Sequence, residues 1–172
     1  MARRIVQYVT ITPTPTGDAA ATLASASYPF VIQGGSATQI IRLWEVSISG
    51  QAGATSSPMF MLLARDTVVG ATPGTFPANV GTDTPMDFAT AALVAPPIVN
   101  NTFTTPAQRS VTAKLQNCSL NAFGGVYFWR ANRVEECPSI LGNVTPLGEV
   151  SLSAYTGGTA GAIGCHVIYE PL

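Results

Sequence analysis

Apolar and polar residues alternate near the end of the chain, in two runs separated by a glycine-rich segment. The apolar positions are Val150, Leu152 and Ala154 in the first run and Ile163, Cys165, Val167 and Tyr169 in the second. A period of two predicts β-strands. A loop that cradles phosphate leads into a helix and often carries a Lys, whereas the second run is β-branched and aromatic and contains no Lys. The pattern therefore predicts a hairpin whose glycines permit the turn.

Other strand signals precede this hairpin. The longest is "TQIIRLWEVSISG", and its alternation predicts one set of side chains on one face and a second set on the other. The first set is Ile40, Trp44, Val46 and Ile48, and the second is Glu45, Ser47 and Ser49. "MFMLLARDT" is a continuous apolar run of strand length, typical of burial on both faces. Alternation returns at residues 110–116, and "GGVYFWRA" is a further strand dense in aromatic residues.

Two segments interrupt this pattern. The first, residues 1–37, begins with the strand candidate "RRIVQYVTIT" and continues as a connector rich in Pro, Thr and Ala, which we interpret as an arm leading into the fold. The second, residues 70–108, holds six of the thirteen prolines and shows one helix signal, "TPMDFATAAL", with Thr84 as its N-cap. Because such long connections are uncommon in compact domains, we expect this excursion to pack over the sheets or onto a neighbouring molecule.

These elements predict an all-β fold with almost no helix. About eight strands separated by turn signals are typical of a two-sheet antiparallel sandwich, jelly-roll-like in its connections. A chain of 172 residues suits a single domain, and no linker divides it. The prediction is one sandwich domain over residues 1–172, with an N-terminal arm and one long Pro-rich excursion.

Charge is scarce in this chain. Charged residues make up 10% of it, whereas soluble domains usually have about 25%, so its surface is predicted to lie against copies of itself or against other proteins. A monomer with a hydroxyl-rich surface is the alternative. The net charge is −1, and the one basic pair, Arg3 and Arg4, is too short to hold a genome, which predicts no direct nucleic-acid binding. No apolar run of about eighteen residues is present, so no membrane partner is expected.

The residues for catalysis or metal binding are few and scattered. His166 is the single histidine, and its neighbour Cys165 points to the opposite face of a strand, so the two cannot form a dyad. Three cysteines without C-x-x-C spacing predict neither a disulfide framework nor a zinc site. Asp83 and Asp87 lie in the excursion without a calcium-loop pattern, and helix capping accounts for Asp87. We therefore expect no enzymatic activity, no metal and no cofactor.

Aromatic residues are concentrated in the strand that contains Tyr127 and Trp129. Alternation places these two on one face, and Val126, Phe128 and Arg130 on the other. The candidate surface aromatics are Tyr127, Trp129 and Tyr155. Exposed aromatic side chains can stack on sugars or anchor a protein interface. Core packing of one sheet face is the alternative.

Two stretches, "LNAFGGVYFWRANRVEECPSI" and "GEVSLSAYTGGTAGAIGCHVIYEPL", resemble small bacteriophage structural proteins of β-sandwich type, in which an "FRWVA-P-GE"-like segment leads to a final hairpin that ends in an aromatic-Glu pair. The matching residues are Phe128, Trp129, Arg130 and Ala131, then Glu135 or Glu136, and finally Tyr169 and Glu170. The similarity is a diffuse pattern that covers most of residues 38–170 and departs in the N-terminal arm.

The resemblance implies a virion component made in the host cytoplasm. It points to a capsid decoration (cement) protein on the capsid surface, assembled as a homotrimer on the major capsid protein. The candidate intersubunit contacts are Arg3, Arg4, Ile5 and Tyr8 in the arm and Phe76, Phe88 and Phe103 in the excursion. Removal of the first twelve residues is then expected to weaken capsid association while leaving a folded protein.

Two alternatives stay open. One is a main shell-forming jelly-roll subunit. The other is a carbohydrate- or receptor-binding module that uses Tyr127, Trp129 or Tyr155 as a stacking platform.

Overall fold

The strands occupy most of the residues that the computed structural model describes, namely 3–15, 21–23, 28–53, 58–73, 84–86, 93, 97–100, 103–105, 107–143, 148–155 and 161–172. The strands are β1 Arg4–Ile11, β2 Ala21–Thr22, β3 Phe30–Gln33, β4 Ile40–Gly50, β5 Pro58–Val68, β6 Ala71–Pro73, β7 Thr84–Pro85, β8 Ile98–Asn100, β9 Phe103–Thr105, β10 Gln108–Asn121, β11 Val126–Arg130, β12 Ser139–Leu141, β13 Glu149–Tyr155 and β14 Ile163–Pro171. A short 3-10 helix, Val134–Glu136, lies between β11 and β12.

Two antiparallel sheets pack face to face. Sheet A has the strand order β11-β4-β14-β1-β7, with β12 also paired to β4, and sheet B has the order β2-β10-β5-β13-β3-β8. Strands β6 and β9 form a separate two-stranded ribbon. The predicted all-β, two-sheet antiparallel sandwich is confirmed.

The eight strands of four or more residues have the connectivity of a jelly roll. They are β1, β4, β11 and β14 in sheet A, and β3, β5, β10 and β13 in sheet B. Consecutive long strands lie in opposite sheets except for β5 and β10, which are neighbours in sheet B. The first of the long strands, β1, pairs with the last, β14, from Arg4 opposite Tyr169 to Ile11 opposite Ile163. Such interlocked strand orders are characteristic of double-sheet jelly rolls.

The main core lies between the two sheets. It includes Val6 and Ile11 of β1, so the N-terminal strand is an integral part of sheet A rather than a projecting arm. The two terminal runs contribute every apolar position that their alternation predicted: Val150, Leu152, Ala154, Ile163, Cys165, Val167 and Tyr169.

These two terminal strands do not form the predicted hairpin. Strand β13 pairs with β5 and β3 in sheet B, whereas β14 pairs with β4 and β1 in sheet A. The segment between them therefore crosses from one sheet to the other. The prediction was wrong because both strands turn an apolar face toward the same core, and that pattern is identical for strands paired side by side and for strands packed across the sandwich.

Strand β4 also differs from its predicted alternation. The pairing with β14 shifts between Ile168, which lies opposite Glu45, and Tyr169, which lies opposite Leu43. The extra residue is a β-bulge, and it turns Trp44 to the outer side of sheet A while Leu43 and Val46 face the core. Trp44 packs there in a small cluster with Ala131, Cys137 and Ile168, and Ile40 is exposed.

The outer face of sheet B is covered by the chain itself. Leu23 and Tyr28 from the N-terminal connector pack with Val31 of β3 and with Phe103 and Ala107 from the excursion. Thr84 and Pro85, the predicted start of a helix, instead form β7 beside β1, so the helix prediction was wrong at its start; residues 87–92 lie outside the described residues. The excursion thus packs on its own sandwich through both β7 and the cluster on sheet B.

Candidate functional site

The lateral edges of the sandwich are covered unequally. On one side, the short strands β7 and β8 pair with the edge strands β1 and β3. On the other side, β2 covers only the first two residues of β10, and within the described residues no strand pairs with the outer side of β11. This open side is the part of the described fold where main-chain groups remain available for pairing with another chain.

The two strands on the open side carry different side chains. The exposed residues of β10 are polar or charged (Thr112, Lys114, Asn117 and Ser119), and its pairing with β5 is interrupted by register shifts. Both features discourage edge-to-edge association. Strand β11 pairs regularly with β4 and exposes Val126 (71%) and Phe128 (58%), and Phe123 in the preceding turn is 54% exposed. We call Phe123, Val126 and Phe128 the β11 strip.

Tyr127 and Trp129 occupy the opposite face of β11. Both are half-buried and pack against the main core, and the Tyr127 hydroxyl donates a hydrogen bond of 3.0 Å to Gln116 Oε1. Tyr155 is also half-buried, with its ring centroid 5.7 Å from that of Phe60. The three predicted surface aromatics are therefore partly accessible, and the more exposed aromatic side chain of β11 is Phe128.

A small polar pocket of about 270 Å³ lies on the outer face of sheet A. We call it the outer pocket, and it is lined by Gln7, Ser47, Ser49, Gln51, Gly164, Cys165 and His166. Gly164 pairs with Ser49, and the missing side chain at that position leaves a depression in the face of the sheet. The lining side chains are mostly neutral hydrogen-bonding groups.

A histidine–carboxylate pair borders this pocket. His166 Nε2 lies 2.7 Å from Glu45 Oε1, and Arg130 Nε lies 3.9 Å from Glu45 Oε2. Glu45 is buried, and alternation along β4 places it on the same face as Ser47 and Ser49. Ser47 lies opposite His166 in the sheet but makes no hydrogen bond to it, so the geometry does not activate the Ser47 hydroxyl as a nucleophile.

A second polar cluster lies beneath the cover on sheet B. Asp66 and Glu149 are both fully buried, and we call them the acid pair. Ser151 Oγ donates a hydrogen bond of 2.6 Å to Asp66 Oδ1, and the Gly70 backbone N–H donates one of 2.9 Å to Glu149 Oε2. Gln33 Nε2 in turn donates to the Gly70 carbonyl at 3.0 Å. The cluster thus anchors Gly70, where the excursion begins, to sheet B.

The remaining oxygens of the acid pair, Asp66 Oδ2 and Glu149 Oε1, have no donor from another residue. The two carboxyl groups are close enough to interact, and a hydrogen bond between them would require a proton on one of the two. Burial raises the pKa of Glu149, and the neighbouring Asp66 raises it further; burial also raises the pKa of Asp66. Burial and the proximity of the two acids thus both favour a proton on one of the two carboxyl groups.

Buried neighbours complete this cluster. Arg109 is fully buried, its Nη1 donates a hydrogen bond of 2.7 Å to Ser153 Oγ, and its charge favours the ionised form of Asp66. Tyr28 is also buried, and desolvation, followed by the charges of Glu149 and Asp66, raises the pKa of its hydroxyl. Arg109 thus places a positive charge near the acid pair.

The predicted intersubunit contacts lie in several environments. Arg3 stacks on the Trp44 ring, 3.8 Å from its centroid, Arg4 is half-buried, and Ile5 packs against the Trp44 cluster. Phe103 is buried in the cover on sheet B. The backbone of Tyr8 pairs with Cys165, while the Tyr8 side chain, Phe76 and Phe88 lie outside the described part of the chain.

Cysteines and acids form no further centre in the part of the chain that the structure describes. Cys118, Cys137 and Cys165 are free thiols, and burial raises the pKa of Cys118 to about 11 and that of Cys165 to about 12. No group of three or more His, Cys, Asp or Glu side chains in the described ranges is placed to hold a metal ion. No helix there has the length and hydrophobicity to cross a membrane.

Sequence reasoning missed the acid pair, the Glu45–His166 contact and the outward position of Phe128. No local signal could have found the acid pair, because Asp66 and Glu149 are 83 positions apart and meet only through the register of β5 and β13. A comparison of the chain with protein-family models finds no match, and a comparison with curated proteins finds none either.

Proposed function

We propose that the protein is a bacteriophage virion structural protein, a capsid decoration protein that associates with copies of itself and binds the capsid lattice. The observation that carries the proposal is the unpaired edge of β11 together with the exposed apolar β11 strip. Open edges attract strands from other chains, and soluble proteins usually protect them. Here one side of the sandwich is protected by β7 and β8, whereas in the part of the chain that the structure describes the β11 edge is apolar and has no pairing strand.

Composition supports the same proposal. Only 10% of the residues are charged, so few charges must be desolvated when surfaces meet. Contacts of modest individual strength become effective when symmetry repeats them in a closed oligomer or over a lattice. The resemblance of residues 120–140 and 148–172 to phage structural proteins supplies the virion context. The jelly roll agrees by analogy alone, because lectins and cupins share it with capsid proteins.

Self-association is tested by the solution mass. We expect light scattering during size-exclusion chromatography to give a trimer, three times 17.8 kDa, that persists on dilution. The variant Phe123→Lys/Val126→Lys places two charges on the β11 strip, and we expect it to yield folded monomers.

The matched control is Thr112→Lys/Asn117→Lys, which places two charges at exposed positions of β10, beside the existing Lys114. We expect this control to retain the mass of the unmodified protein. A monomer at every concentration, or an oligomer that Phe123→Lys/Val126→Lys leaves intact, contradicts association through β11.

A second candidate is a main shell-forming subunit, and the interlocked order of the eight long strands is the observation that favours it. Electron microscopy of the purified protein distinguishes the two functions. A decoration protein adds to preformed capsids and forms no shell alone, whereas a shell subunit assembles closed particles without another protein. Absence of both behaviours would contradict the virion function.

A further inference from the structure

The outer pocket combines donors and acceptors of hydrogen bonds on a small surface. Ser47 and Ser49 supply hydroxyl groups, and Gln7 and Gln51 supply amides. Thr10 Oγ1 donates a hydrogen bond of 2.9 Å to Gln51 Oε1, which leaves the amide N–H groups of Gln51 to donate. Because the pocket offers both donors and acceptors, it can hydrogen-bond to a molecule whose own groups both donate and accept, such as a ring that carries several hydroxyl groups.

Charge in and around the pocket is balanced. The imidazole of His166 and the guanidinium of Arg130 both face the single carboxylate of Glu45. An anion would compete with Glu45 for these groups, and a cation would compete with them for Glu45. A neutral ligand leaves all three contacts intact and avoids the cost of breaking them.

An aromatic side chain stands beside the pocket. In adjacent strands, Phe128 lies opposite Ser47, Ser47 lies opposite His166, and His166 lies opposite Gln7. These four side chains form one row across the outer face of sheet A. The row presents an exposed apolar ring at one end and polar groups along the rest, so a flat molecule can contact the Phe128 ring and still hydrogen-bond in the pocket.

We propose that the outer pocket binds a neutral saccharide, with one sugar ring over Ser47 and His166 and its apolar face against Phe128. The volume of about 270 Å³ is just under the range of about 300–1,000 Å³ that is usual for drug-sized ligands, which suits a single ring with its neighbours in solvent. Ser47 and Gln7 provide hydrogen bonds, and Phe128 provides stacking. This function goes beyond self-association, and the two would compete for the Phe128 side chain wherever the β11 strip is covered by another subunit.

The test is a nuclear magnetic resonance titration of the full chain with the methyl glycosides of glucose, galactose, mannose and N-acetylglucosamine. We expect at least one to shift the backbone amide signals of Ser47, Ser49 and His166. Gln7→Ala/Ser47→Ala should weaken that binding at least tenfold, and Phe128→Leu, which keeps an apolar side chain but removes the ring, should weaken it several-fold.

The control Thr112→Ala/Asn117→Ala alters exposed polar residues of β10 and should leave the binding unchanged. The proposal is overturned if none of the four glycosides shifts these amides, if the Gln7 and Ser47 substitutions leave binding intact, or if inorganic phosphate binds there in place of the sugars. The solution mass, measured on the same samples, reports separately on self-association.

Discussion

Gly142, the residue that follows β12, shows how a single backbone position can require glycine. Its φ is +67°, which L side chains rarely adopt, and an added Cβ would lie 2.2 Å from the Ala37 carbonyl oxygen. Its N–H donates to the Gln39 carbonyl, and its own carbonyl accepts from the Gly34 N–H. Conformation and close packing therefore both require glycine at this position.

We expect Gly142→Ala to lower the free energy of unfolding by more than about 1 kcal/mol, because the new methyl group must be accommodated by moving backbone. Gly53→Ala is the matched control, since Gly53 has open space around its Cβ position and no positive φ. Urea denaturation of both variants measures the difference. Equal stabilities of the two would show that the turn at Gly142 relaxes without cost.

At the scale of elements, β1 lies in the segment that was predicted to be an arm leading into the fold. In the structure it is a strand of the sandwich itself. It pairs with β14 on one side and β7 on the other, and it buries Val6 completely. Residues of the predicted arm thus have their partners within the chain, including Arg3 on Trp44.

Removal of residues 1–12 should consequently abolish folding rather than merely weaken capsid association. The truncation exposes the edge of β14 and one wall of the core, so we expect aggregated protein without a cooperative thermal transition in circular dichroism. A soluble truncated chain with a sharp transition would show that β1 is dispensable.

The strands were predictable, but their partners were not. Alternation identified β13 and β14 because each has one apolar and one polar or covered face, and the core positions of Val150 and Val167 followed from it. The sheet to which each strand belongs depends on pairings between distant residues, and the bulge at Trp44 depends on β14, which lies more than a hundred residues later. The outer pocket needs residues from three strands, so the period of a single strand could not predict it.

For the whole molecule, the acid pair sets how stability depends on pH. The pKa of Glu149 is raised above its unfolded value of 4.5, and that of Asp66 is raised above 3.8, so the folded state binds more protons than the unfolded state. The acid pair therefore stabilises the folded state fully below about pH 4. This contribution to the free energy of unfolding is lost as the pH rises through the raised pKa of each group.

We expect the free energy of unfolding, measured by urea denaturation, to fall from pH 5 to pH 9 with a slope of up to about 1.4 kcal/mol per pH unit for each proton lost. Glu149→Gln keeps a hydrogen-bonding side chain without the titrating proton, so its slope should be flatter, while Glu135→Gln at an exposed position should behave like the unmodified protein. A slope that Glu149→Gln does not change would remove the acid pair as its cause.

The pairing of β1 with β14 also has a consequence for synthesis. Arg4 meets Tyr169, so β1 can pair with β14 only after the roughly 165 residues that separate them have been synthesised. Contacts of such long sequence separation slow folding, and until β14 emerges, the edge of β1 that pairs with it remains exposed to chaperones and to other nascent chains. A chain whose translation stops early lacks β14 and cannot close sheet A, so incomplete products are excluded from any assembly that requires the finished sandwich.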